Sequence, residues 1–271
     1  MNVFENQHVI VTGSTSGIGE ATARLLVERG ASGMLITGRH EGRGQKVVRD
    51  LKEAGCNAVF VKADLENVDD CRRIIDTAEN AFGEIHVLVN AAALTSRGSI
   101  FDSTVELWDK MMAINMRAPF ILMQACIKNM RRHKIEGAIV NVLSVAAHGG
   151  QPFIGTYSAS KGGLAVLTKN TAYAVMRHRI RVNGLMLGWA DTPWEHDIQK
   201  TYHDRDENWL GEAEADLPFG RLIKPDEAAR AIAWMASSES GMMTGSLIDF
   251  DQSVLGAGNV SRPVAGEMGT E

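Results

Sequence analysis

Cysteine is scarce in this chain. The 271 residues hold three, Cys56, Cys71 and Cys126, with no C-x-x-C spacing, which excludes a disulfide framework and a thiolate metal site and leaves ordinary reduced thiols. Basic residues form no dense block, and 28 Lys and Arg against 33 Asp and Glu give a formal net charge of −5. A protein whose main task is to grip phosphate backbones or anionic membranes carries the opposite balance, so neither nucleic acid nor membrane is an expected partner. No apolar run approaches membrane-spanning length, and Met-Asn-Val-Phe-Glu-Asn at the start has no basic segment followed by an apolar stretch, so the expectation is a soluble protein, cytoplasmic by default. Linker-like stretches, repeats and low-complexity segments are missing from the interior. With 45% hydrophobic residues, a chain of this length buries a large core, and a single domain over 1–271 is the simplest organisation.

Apolar runs of strand length are present at His8–Thr12, Met34–Thr37, Ala58–Lys62, His86–Asn90, Ala138–Leu143, Ile180–Leu187 and Ser246–Phe250, separated by segments that can carry helices. Runs such as Val9-Ile10-Val11 and Ile139-Val140-Asn141-Val142 are apolar on both faces, which suits a sheet covered on both sides. The rhythm predicts an α/β Rossmann fold: a doubly wound, seven-stranded parallel sheet with right-handed crossovers. Pro225 is suited to the first position of the last helix.

The first strand runs into Thr12-Gly13-Ser14-Thr15-Ser16-Gly17-Ile18-Gly19 and then a helical pattern from Glu20. Gly13 permits a sharp turn, Gly17 lets backbone approach a pyrophosphate, and Gly19 lets the helix pack close to the strand, with the helix N-terminus facing the anion. The G-x3-G-x-G spacing differs from the general dinucleotide fingerprint. Where strand two ends, a carboxylate would mark NAD; Thr37-Gly38-Arg39-His40 stands there instead. A guanidinium forks onto phosphate, so Arg39, helped by Arg43, favours NADP, with NAD the alternative if Arg39 is only a solvated loop charge. Asp64 and Leu65 are placed to lie along the adenine, and Asn90-Ala91-Ala92-Ala93 supplies small residues where a cofactor passes close to backbone.

Strand five ends at Ser144, and Tyr157 and Lys161 follow in Tyr157-Ser158-Ala159-Ser160-Lys161. Residues four apart share one helix face, so both side chains can point into one cleft. A phenol titrates near pH ~10 in water, and an adjacent ammonium together with an oxidised nicotinamide favours phenolate, which makes Tyr157 a usable acid/base. Ser144 can then hydrogen-bond the substrate oxygen while Lys161 also holds the nicotinamide ribose.

In this order the motifs resemble the classical short-chain dehydrogenase/reductase family, from about Val9 to Asp251. Thr12-Gly13-x-x-x-Gly17-x-Gly19 looks like the family's cofactor turn, with Thr15, Ser16 and Ile18 inside it. Asn90-Ala91-Ala92 is similar to its Asn-Asn-Ala-Gly segment without the glycine, and Ser144, Tyr157 and Lys161 match its catalytic triad. The resemblance implies a nicotinamide-dependent oxidoreductase acting on an alcohol or ketone, with hydride moving between nicotinamide and substrate carbon. It also implies that Asn115 is a fourth catalytic residue, holding a water that links Lys161 to solvent. Leu187 replaces a usual proline before Gly188, while Thr192 is still placed to bind the nicotinamide amide. Asp249-Phe250-Asp251 replaces the common Asp-Gly-Gly.

The segment 189–216 breaks the rhythm and is a candidate lid. Between Asp191 and Asp216 it carries nine acids against Lys200 and Arg205, a balance that disfavours a phosphorylated or acyl-carrier substrate. Trp189, Trp194 and Trp209 offer flat faces, and Asp191, Glu195 and His196 offer hydrogen bonds, which suits a neutral sugar or polyol, as does the resemblance; a 3-oxoacyl or cyclic ketone reductase is the alternative, and a non-catalytic NADP(H) sensor a third. His148 and Gln151 are expected at the substrate, His148 alternatively capping the next helix. No metal is expected, since Glu195-His196 has no further ligands. Helices over Val105–Met130 and Thr156–Val175 are apolar on more than one face, with Trp108, Met111, Phe120, Leu164 and Leu167 prominent, as in a homodimer or homotetramer or else a thick monomer core. The tail 257–271 is expected to be loosely ordered or to reach a neighbouring subunit.

Overall fold

Seven strands form one parallel sheet in the order β3-β2-β1-β4-β5-β6-β7. They are β1 His8–Thr12, β2 Gly33–Gly38, β3 Asn57–Lys62, β4 Val87–Asn90, β5 Ala138–Val142, β6 Arg181–Leu187 and β7 Leu247–Phe250. The computed structural model describes residues 2–255, so the tail from Ala257 lies outside the described residues. Every expected strand is present. Glycines bound β2 at both ends, and His86, Ile180 and Ser246 fall just outside their strands.

Alternation along each strand sorts side chains between two cores. Val9 and Val11 join a cluster with Ala23 and Leu26 of α1 (Gly17–Glu28), Val47 and Leu51 of α2 (Glu41–Glu53), and Ile232 of α9 (Pro225–Ala236). Ile10, between them, faces Ile74 of α3 (Val68–Phe82), Leu122 of α5 (Ala118–His133) and Leu164 of α6 (Gly155–Val175). Burial of both sheet faces explains why these strands read as continuous apolar runs and not as alternating ones. α9 opens with Pro225 at its first turn, and Glu227 returns to the Lys224 backbone N–H at 2.9 Å.

The helical stretch from Val105 is not one regular helix. α4 (Val105–Met112) passes through a π-helical turn, Ala113–Arg117, before α5 begins, and Asn115 lies in that turn, fully buried. In the segment 189–216, two helices form, α7 (Pro193–His203) and α8 (Trp209–Ala215). No helix among the described residues is long and apolar enough to cross a membrane.

The sheet order reverses direction between β1 and β4, each beside the other. Chains leaving the carboxyl ends of β1 and β4 diverge there to opposite faces, which opens a crevice at that edge.

Candidate active site

One cleft of about 1160 Å³ runs along this edge. That is larger than the ~300–1,000 Å³ typical of a single small ligand. It starts between Arg39, His40 and Arg43, passes the Gly13–Gly19 turn and Ala91–Ala93, and ends among Ser144, Tyr157, Lys161 and the start of α7.

The turn after β1 is built for close approach. Gly13 has φ +65°, and a Cβ there would stand 2.8 Å from the Ala92 Cα; at Gly19 a Cβ would run into the Gly13 carbonyl. The first N–H groups of α1 have no intrahelical acceptor, and the Ser16 side chain does not cap them, so they remain available to an anion. Thr15, Ser16, Gly17 and Ile18 line the cleft with these glycines, as do Asp64, Leu65, Gly188 and Thr192. Arg39 and Arg43 are exposed at its end and form no ion pair among the described residues. A nicotinamide dinucleotide fits this donor set and this absence of Cβ atoms: the turn would hold its pyrophosphate, and Tyr157 with Lys161 would flank the nicotinamide end.

Tyr157 and Lys161 project from the first turns of α6 beside Ser144, which follows β5. A buried polar chain fixes that helix against the sheet. Asn90 Nδ2 donates to Asn141 Oδ1 at 2.8 Å, Asn141 Nδ2 donates to Thr168 Oγ1 at 2.9 Å, and Thr168 Oγ1 donates to the Leu164 carbonyl at 2.7 Å. Asn90 thus lies beneath the cleft, not among its lining residues, while Ala91 lines it and donates its N–H to Thr12 Oγ1 at 3.1 Å.

The Lys161 ammonium is buried, donates to the Val142 carbonyl at 2.7 Å, and lies 5.7 Å from the centre of the Tyr157 ring. Burial lowers its pKa to about 8. Burial also governs Tyr157: its phenol is pushed up to about 12, the Ser144 hydroxyl and Arg97 opposing and Glu195 reinforcing the rise. The sequence suggested a phenol acidified by its neighbouring ammonium. Among the chain's own groups desolvation of the phenol outweighs the Ser144 hydroxyl and Arg97, the two that favour phenolate.

Asn115 sits behind the site. Its Oδ1 accepts from the Leu94 N–H at 2.7 Å, and its Nδ2 donates to the Leu94 carbonyl at 2.8 Å and to Ser160 Oγ at 3.1 Å. The amide is therefore occupied as a brace between the loop after β4 and α6, and is not turned toward the cleft.

Several substrate-side expectations are redrawn. His148 ends a short 3-10 turn and meets Asp249 at 3.0 Å; it neither lines the cleft nor caps α6. Gln151, Trp189 and Trp194 do line it. Trp209 is buried and donates Nε1 to His196 Nδ1 at 3.1 Å; His196 Nε2 in turn meets Asp191 at 2.7 Å, and Lys224 completes the set at 3.0 Å. These groups form the internal packing of the 189–216 segment and do not face a ligand. Four of its nine acids are spent on ion pairs away from the cleft, Asp191 and Glu214 on Lys224, Glu207 on Lys200 and Glu212 on Arg205, while Glu195 and Asp197 line it. The acidity read in the sequence belongs mainly to the outer face.

Arg97 is the residue that sequence reasoning missed. From the loop after β4 it reaches Glu195 of α7 at 3.1 Å and His203 Nε2 at 3.1 Å, with its guanidinium 5.8 Å from the Phe153 ring centre. No period or motif surrounds it in Thr95-Ser96-Arg97-Gly98, and its partners lie about a hundred residues away.

A parallel sheet with this turn, this cleft and this Ser-Tyr-Lys grouping defines a nicotinamide-dependent oxidoreductase. The comparisons agree. A family model described as enoyl-(acyl carrier protein) reductase matches residues 13–253. The chain is 34% identical to the cis-4-hydroxycyclohexanecarboxylate dehydrogenase of Sinomonas cyclohexanicum, over 92% of this chain and 96% of that one. It is 32% identical to the NADP-dependent (R)-specific alcohol dehydrogenase of Lentilactobacillus kefiri, over 87% and 91%. Among solved structures, a variant actinorhodin polyketide ketoreductase with NADPH superposes with a TM-score of 0.84 at 28% identity, covering 90% of this chain and 95% of that one. The chain belongs to the short-chain dehydrogenase/reductase family.

Proposed function

We propose that this protein interconverts a secondary alcohol and its ketone with NADP in preference to NAD, using Tyr157 as acid/base. One observation carries the reading: Tyr157, Lys161 and Ser144 converge at the far end of the same cleft whose near end is the glycine turn. The cofactor supplies the hydride acceptor or donor and, when oxidised, a positive charge. Tyr157 gives its phenolic proton to the substrate oxygen in reduction and takes one back in oxidation; a phenol raised to about 12 is protonated at neutrality but a weak donor, and added positive charge nearby is what lets it release the proton. Ser144 orients the same oxygen. Lys161 is held by the Val142 carbonyl at the correct depth, and Asn115 keeps the loop after β4 and α6 in register.

The preference for NADP rests on Arg39 just after β2 and Arg43 in the first turn of α2, without ion-pair partners among the described residues and without a carboxylate at the strand tip. On the substrate side, Trp189, Trp194 and Phe153 bound a space suited to one ring or a short chain, and we read the substrate as a neutral hydroxylated molecule of sugar or polyol type. Reduction of a cyclic or 3-oxoacyl ketone is the second reading, favoured by the relative that acts on a hydroxycyclohexanecarboxylate and by the ketoreductase neighbour. The segment 189–216 serves as the lid over this space. Val105, Trp108 and Phe120 lie exposed on α4 and α5, a face suited to a homodimer or homotetramer. The direct test is Tyr157→Phe in a spectrophotometric screen of sugars, polyols and ketones with both cofactors. Turnover is lost at least a thousandfold while cofactor binding persists; preserved turnover removes Tyr157 from the chemistry.

A further inference from the structure

We infer that Glu195 is the specificity-determining acceptor for a second hydroxyl on the substrate, so that the preferred substrate class is a diol or hydroxyketone and not a simple alcohol. This rests on the alcohol/ketone reading above and adds to it which alcohols the site selects.

Glu195 occupies the third position of α7, after the cap Thr192, whose Oγ1 accepts from the Glu195 N–H at 3.2 Å. A glutamate at that position commonly folds back to the cap's own N–H. This one turns instead into the cleft, where it is 9% exposed. Three donors converge on a single oxygen: Gln199 Nε2 at 2.7 Å, Trp189 Nε1 at 2.9 Å and Arg97 Nη2 at 3.1 Å all reach Oε1. Among the described residues no donor reaches Oε2, and that oxygen is not sealed from the cleft.

The geometry separates two tasks within one carboxylate. Oε1 is saturated and clamps the group in one orientation; Oε2 retains its lone pairs. A nearly buried carboxylate is costly to desolvate, and a ligand donor that satisfies the open oxygen recovers part of that cost. Arg97 neutralises the charge, so the paired site gives little net attraction to a cation, and what remains is a hydrogen-bond acceptor suited to a neutral hydroxyl. Glu195 and Tyr157 line the same cleft.

The test compares a vicinal cyclohexanediol with cyclohexanol, and a 2-hydroxyketone with its parent ketone, in wild type, Glu195→Gln and Glu195→Asp, with thermal unfolding recorded for each. Gln keeps the shape and an oxygen for the three donors but places an NH2 where Oε2 was. Wild type is expected to favour the diol by roughly tenfold to a hundredfold in kcat/KM, the range of a hydrogen bond to a charged acceptor. In Glu195→Gln that ratio falls at least tenfold, chiefly through KM for the diol, and Glu195→Asp falls between. A diol-to-alcohol ratio near one in wild type, an equal loss for both alcohols in Glu195→Gln, or a preference for the corresponding amino alcohol overturns the role of Glu195 while leaving the dehydrogenase reading intact. A chain that turns over none of these alcohols or ketones removes that reading itself, and this inference with it.

Discussion

Replacing Lys161 by methionine should make the protein more stable while disabling it. Lys161 is 2% exposed, and burial lowers its pKa from 10.5 to about 8. At about 1.4 kcal/mol per unit, holding the charged form costs the fold about 3 kcal/mol. Methionine removes that cost but gives up the bond to the Val142 carbonyl, worth about 1–2 kcal/mol, so the net gain is about 1–2 kcal/mol. For a chain of this size that is about 2–4 °C in Tm. The sign with pH follows from the lowered folded pKa. Below about 8 both folded and unfolded chains hold the proton and the penalty is complete. Between about 8 and 10.5 the unfolded chain binds more protons, so the wild type gains stability as pH rises. The Tm advantage of Lys161→Met at pH ~7 must therefore close or reverse by pH ~10.5. Thermal unfolding by circular dichroism across that range, at one protein concentration, measures it. A variant no more stable than wild type near neutrality, or a gap independent of pH, would refute the view that burial of this ammonium is a cost the fold bears for function.

Arg39→Ala should weaken NADP binding by roughly tenfold to a hundredfold and NAD by less than about threefold, the value of one charge-assisted phosphate contact. Fluorescence titration with the two reduced cofactors reads this, and equal losses would show that Arg39 does not sense the phosphate. His196→Leu strips the buried Trp209 Nε1 of its acceptor and costs about 1–3 kcal/mol. Hydrogen exchange over α8 should accelerate while that of the central strands stays constant; unchanged α8 protection would show that the Asp191–His196–Trp209 chain does not hold the segment together.

Charge balance along a stretch of sequence says little about a cleft when the stretch is helical, because only one face of each helix can line it. Here α7 presents Trp194, Glu195, Asp197, Gln199 and His203 to the cleft, while His196 and Lys200 pair locally. The net field of the segment 189–216 is therefore directed to solvent.

Local chemistry made much of this molecule readable beforehand. Apolar runs flanked by helical segments dictate buried parallel strands, because only a sheet covered on both faces accommodates them. Three glycines in one turn admit few backbone paths, and a Tyr and Lys four apart on a helix must share a face. These are rules of short range, and the sequence alone determined them. Long-range packing decided the rest. The π turn that buries Asn115 depends on how α4 and α5 settle against α6, and the pairing of Arg97 with Glu195 joins a loop to a helix 98 residues further on. The pKa of Tyr157 was likewise beyond reach: it depends on how much water the assembled walls exclude, and in this cleft exclusion outweighs the Ser144 hydroxyl and Arg97. Periodicity describes which face a side chain takes; it is silent on what that face will meet.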